Sequence, residues 1–78
     1  MISITDLKTT MLLQFEGEIK TAKAGLNRKF NTPADVIFNA EQRMLGVANF
    51  CQSLGLDYNF IEETYNFYKE KLENLLTK

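Results

Sequence analysis

The chain has 78 residues, 45% apolar and 24% charged, which is the composition of one folded globular domain spanning residues 1–78 and too apolar for a disordered one. Its single cysteine, Cys51, excludes an intrachain disulfide, and the lack of histidine excludes the usual Cys/His zinc sets and the commonest general base at neutral pH. Nine basic and ten acidic side chains leave a net charge of −1, far from the basic excess of a dedicated DNA binder. No apolar run approaches the roughly 20 residues needed to cross a bilayer. Met1 to Asp6 lack a basic region followed by an apolar core, so a secretory signal is not expected. These features together point to a cytoplasmic-type protein with a reduced thiol.

The first helix is expected over about residues 4–29. Ser3-Ile4-Thr5-Asp6 has the form of a capping box with Asp at its fourth place. Ile4, Met11, Phe15, Ile19, Ala22 and Leu26 fall within an arc of about 80° on a helical wheel, widened by Leu7 and Leu12. Lys8 projects from the same face, where its long side chain can reach water. Gly25 is one possible stop, but Leu26 and Phe30 prolong the apolar period, and the expected end is near Lys29.

Thr32-Pro33-Ala34-Asp35 is the strongest local signal. Thr32 suits the N-cap, Pro33 the first helical position, where its missing N–H is not needed, and Asp35 the third, beside free backbone N–H groups. A second helix is therefore expected over 33–54, with Ile37, Ala40, Met44, Val47, Cys51 and Leu54 on its buried stripe. Gly55 should end it, with Leu56 folding back toward Cys51 as in a Schellman cap. Asp57 is the expected cap of a third helix over 58–76, with Asn59 and Glu62 as a competing pair. Its stripe, Tyr58, Ile61, Tyr65, Tyr68, Leu72 and Leu75, repeats the spacing of the second. So short a connection makes these two helices antiparallel neighbours. The fold class is all-α: a small three-helix bundle with a C-terminal antiparallel helical hairpin. The same helices also allow the first to pair with, or swap into, a second subunit.

Little chemistry is legible. Cys51 lies on an apolar stripe, where burial disfavours its thiolate. Glu16/Glu18 and Glu62/Glu63 are one or two residues apart and do not share a helix face, so neither pair is a ready acid/base dyad. Asp6, Asp35 and Asp57 each sit at a helix start and are explained as caps, without calcium-loop spacing. No catalytic, cofactor-binding or metal-ligating residues are expected. Gly17 and Gly46 lie inside expected helices, either as tolerated surface residues or because another helix comes close. The three stripe tyrosines fit the edge of a small core or an interface better than a dry centre.

Two function classes remain. In the first, the chain is a non-catalytic adaptor, inhibitor or assembly subunit that binds another protein or a second copy of itself through an apolar helix face. Phe38 and Leu45 lie about 80–100° from Ile37, and Phe60 and Phe67 about 100–120° from Ile61 on the other side. These four are the expected docking residues, Phe50 lying on the opposite flank of its helix and Leu13 well away from the first stripe. Most of Phe38, Leu45, Phe50, Phe60 and Phe67 are expected to enter the core, with the remainder forming a patch. In the second class, the chain associates with nucleic acid through Lys20, Lys23, Arg28 and Lys29, cations that equally suit the end of a helix dipole. A helix-turn-helix reading is weak, because the helix after the tight turn opens with Asp57, Glu62 and Glu63, which phosphates repel.

Overall fold

Three local caps determine where the helices start. In the computed structural model, which describes residues 3–27 and 32–77, the Ser3 hydroxyl accepts from the Asp6 N–H at 3.0 Å. Thr32 Oγ1 accepts from the Asp35 N–H at 3.2 Å, and Asp57 Oδ2 from the Phe60 N–H at 3.0 Å. Each oxygen satisfies one backbone donor that a helix leaves open at its first turn. The helices are α1 (Ile4–Leu26), α2 (Pro33–Ser53) and α3 (Tyr58–Asn74), the last running into a short 3₁₀ turn at Leu75–Thr77. The described residues contain no strand, and the chain is an all-α three-helix bundle.

The helix ends differ in part from expectation. α1 closes at Leu26 rather than near Lys29, with Asn27 as its C-cap donating to the Ala24 carbonyl at 3.2 Å. Phe30 and the rest of the expected extension, Arg28 and Lys29 included, lie outside the described residues. Leu54 is the C-cap of α2. Beyond it the Gly55 N–H bonds the Gln52 carbonyl at 3.0 Å, and the Leu56 N–H bonds the Cys51 carbonyl at 3.1 Å. Those two bonds define a Schellman motif, and Gly55 supplies the positive φ of 101° that it needs. Leu56 is buried with Cys51 in the same core cluster, so the turn is held by packing as well as by hydrogen bonds.

Side-chain contacts set the helix directions. Gly25 meets Val36, and Glu18 meets Arg43, so α1 and α2 run antiparallel. Lys8 lies over Phe60, Phe15 touches Tyr65 and Tyr68, and Glu16 reaches Lys71, so α1 and α3 run parallel. α2 and α3 are therefore the two antiparallel arms joined at Gly55. The interior is the line where the three helices meet: Leu7, Met11, Phe15, Ile19 and Ala22 from α1, Ile37, Ala40, Met44, Ala48 and Cys51 from α2, and Ile61, Tyr68 and Leu72 from α3.

This interior is narrower than the stripes suggested. Ala48 replaces Val47 at the centre of α2, leaving Val47 half-buried and Leu54 43% exposed. Ile4 and Tyr58, each the first residue of its helix, are exposed, as is Leu12. The expectation that most of the flanking apolar residues enter the core is also overturned. Phe60 alone is half-buried against the core, while Phe38, Leu45, Phe50 and Phe67 are exposed. In a bundle of three helices, one or two residues per turn of each helix fill the central line, and positions about 100° off that line point past the neighbouring helix.

Candidate interaction groove

The flanks form three separate seams, and the four expected docking residues do not come together on one of them. Phe60 and Phe67 lie on the side of α3 that faces α1. There Lys8 Nζ sits 4.7 Å from the Phe60 ring centroid, and Lys71 Nζ sits 4.9 Å from that of Phe67. Phe67 also packs edge-on against Tyr68, with centroids 5.2 Å apart. Phe38 and Leu45, 57% and 41% exposed, lie on the opposite flank, along the seam of α2 and α3.

The α1–α3 seam is closed by polar groups. Tyr68 is buried, and its hydroxyl donates to Glu16 Oε1 at 2.5 Å. Lys71 Nζ lies 4.0 Å from the same carboxylate oxygen and 5.2 Å from the Tyr68 ring. Burial, then the Glu16 carboxylate, push the Tyr68 hydroxyl up from 10.0 to about 12, so it keeps its proton and its hydrogen bond further into alkaline pH. Tyr68 thus sits deeper than the semi-exposed place expected of it, while Tyr65 is half-buried and Tyr58 exposed. Glu16 and Glu18 face different neighbours: Glu18 Oε1 accepts from Arg43 Nε on α2 at 2.7 Å. A shallow depression of about 250 Å³ remains beside Lys23, Lys71 and Leu75.

The α1–α2 seam is open. It holds a groove of about 550 Å³, floored on one side by Leu7, Thr10, Gln14 and Glu18 of α1. Across it stand Arg43, Gly46, Val47, Phe50 and Cys51 of α2, with Leu54 at its cap. The Glu18–Arg43 ion pair closes one end, and Leu7 and Leu54 lie toward the other by the antiparallel register of the two helices. Phe50 stands 63% exposed at its edge. Gly46 keeps the wall low: a Cβ built there meets no atom within 4 Å. Of the two readings of Gly17 and Gly46, the structure favours the tolerated surface residue within the chain, since both face open space and no other helix comes close. The close approach is at Gly25, where a Cβ would stand 3.1 Å from Val36 Cγ1.

The thirteen residues Met44 to Leu56 contain no charged side chain, although eight of them face solvent. Stripe periodicity did not find this groove, because Val47 and Leu54 sit on the expected stripe and Phe50 stands alone on its flank. The charge-free run was the available signal. Cys51 lines the groove floor, but burial pushes its thiol up, so it is the protonated, unreactive form that packs there.

Of the expected basic cluster, Lys20 and Lys23 are exposed on α1, and Arg28 and Lys29 lie outside the described residues. Glu16 turns away from Lys20 toward α3 and pairs with Lys71. Among the described residues, no three His, Cys, Asp or Glu side chains gather as metal ligands, and no helix is long and apolar enough to cross a membrane. Comparison with protein-family models, curated proteins and solved structures finds no match for this chain.

Proposed function

We propose that the chain is a non-catalytic protein-interaction module that receives an apolar helix face of another polypeptide in the α1–α2 groove. The observation that carries this reading is the open groove edged by exposed Phe50 and Leu54 within a charge-free stretch of α2. Loss of charge with an aromatic anchor kept is the compositional mark of an interface centre, and a groove between two helices suits a third helix. An adaptor, an inhibitor and an assembly subunit all share this mode of binding. The lack of histidine and the buried, protonated Cys51 favour binding over catalysis. The reading also includes a cytoplasmic, reducing compartment, in keeping with a lone thiol. The expected pair Phe38 and Leu45 is kept as a second, smaller face on the far side of α2, and Phe60 and Phe67, capped by lysines, as its weaker companions.

The test combines light scattering of the pure chain with affinity capture from a cell extract, each done with wild type and Phe50→Asp. The expected result is an assembly or a captured protein that Phe50→Asp loses while far-UV helicity is unchanged. A wild type that stays single and captures nothing dependent on Phe50 overturns the reading.

A further inference from the structure

We infer that the occupant of the groove is a second copy of this chain, related by a two-fold axis, with Phe50 of each copy lying across Gly46 of the other. The inference rests on the interaction-module reading above and names its partner. Its first support is electrostatic. In a two-fold contact a surface meets itself, so a charge close to the axis meets its like. The Met44–Leu56 stretch is free of charge and meets its own image without that penalty. The two charges that line the groove, Glu18 and Arg43, are paired with each other at one end, so the stretch itself carries no charge to meet that of a strongly charged foreign partner.

The second support is shape. Phe50 and Gly46 are one helical turn apart on the same outer side of α2, one projecting and the other open. When two such helices are laid antiparallel, the projecting ring of each falls on the gap of the other, and the contact closes as a dimer rather than growing into a filament. Glycine inside a helix is destabilising, and no neighbouring side chain within the chain requires it at position 46. A second copy supplies the requirement. Thr10 and Gln14 of α1 line the groove beside these residues and give the contact a polar rim.

Sedimentation of the full chain over a concentration series reads the result directly. The wild type is expected to double its mass as concentration rises. Phe50→Asp should weaken the dimer by about 30-fold or more. Gly46→Leu should weaken it comparably, because the added side chain points into space that is open in the single chain and filled by the partner's ring. Both variants should keep wild-type helicity, and Leu13→Asp, at an exposed apolar residue of α1 outside the groove, should dimerise as the wild type does. A wild type that remains single up to on the order of 500 µM overturns the inference. So does a dimer indifferent to both Phe50→Asp and Gly46→Leu. A single-chain wild type that still captures another protein through Phe50 removes the two-fold dimer and leaves the module reading standing, whereas the absence of both removes both.

Discussion

Helix α1 has two neighbours, and its two seams are finished in different ways. Along α3, aromatic rings fill the seam and polar groups close it: Lys8 covers Phe60, Lys71 covers Phe67, and Glu16 takes the Tyr68 hydroxyl. Along α2, the apolar lining of Leu7, Val47 and Leu54 is left open, and one ion pair, Glu18–Arg43, marks its end. Aromatic residues occur on both sides, so aromatic content does not separate interior from interface here. The separation comes from the company those residues keep. Cations and a carboxylate around the α3 rings satisfy them within the chain, whereas the charge-free surround of Phe50 leaves its ring for another surface.

The comparison predicts its largest contrast between two phenylalanines. Phe15 is fully buried and meets Tyr65 and Tyr68 edge-on, with centroids 6.4 and 5.5 Å away. Phe15→Ala is expected to cost about 3–5 kcal/mol. For a domain of this size that is a large part of a total stability of about 4–12 kcal/mol, so the urea midpoint should collapse. Phe50→Ala, measured where the chain is single, should stay within about 0.5 kcal/mol of wild type. Equal costs would mean that Phe50 is an interior residue and that the groove is closed in solution.

A smaller effect is expected at the polar closure of the α3 seam. Tyr68→Phe removes the hydrogen bond to Glu16 and should cost about 1 kcal/mol, the carboxylate keeping access to water and to Lys71. The pH dependence is more telling than the size. The Tyr68 hydroxyl is raised from 10.0 to about 12 by burial and by Glu16. An unfolded chain releases this proton near pH 10 while the folded chain holds it, so the contribution is fully present below about pH 10 and is lost as pH rises toward about 12. Tyr65, raised by burial and by Glu41, and Cys51, raised by burial, act in the same direction. Urea midpoints taken from neutral to alkaline pH should fall for the wild type and fall less steeply for Tyr68→Phe. An unchanged slope would show that the Tyr68 contact does not hold its proton.

The parts of this architecture that were legible in the sequence are those decided within one helical turn or one helical period. Ser3, Thr32 and Asp57 cap because an oxygen three residues ahead of a free N–H suffices, whatever the rest of the chain does. Gly55 and Leu56 end α2 for similarly local reasons. Periodicity also located the buried face of each helix. It does not fix the rotation of α2 to better than one residue, so it puts Val47 where Ala48 belongs and places in the interior the Leu54 that only edges it. Seam membership depends on how two helices turn toward each other, and a wheel drawn for one helix does not carry that. For the same reason spacing alone groups Phe38, Leu45, Phe60 and Phe67, although Lys8 and Lys71 separate the last two from the first pair.

The smallest expected effects compare three helical glycines. A Cβ at Gly17 or at Gly46 meets nothing within 4 Å, so Gly17→Ala and Gly46→Ala should each stabilise the single chain by about 0.5–1 kcal/mol through the lower backbone entropy of alanine. At Gly25 the same methyl would press on Val36 Cγ1 at 3.1 Å. Val36 is β-branched and stiff about χ1, so the contact should cancel the gain and leave Gly25→Ala near zero. Thermal melts in dilute solution give the order. Association then separates the two open glycines, since Gly46 lines the groove and Gly17 does not. Gly17→Ala should raise stability and leave self-association untouched, whereas Gly46→Ala should raise stability and weaken self-association. If both variants gain stability and neither changes association, Gly46 is a tolerated surface glycine, and the open wall of the groove has no partner ring to receive.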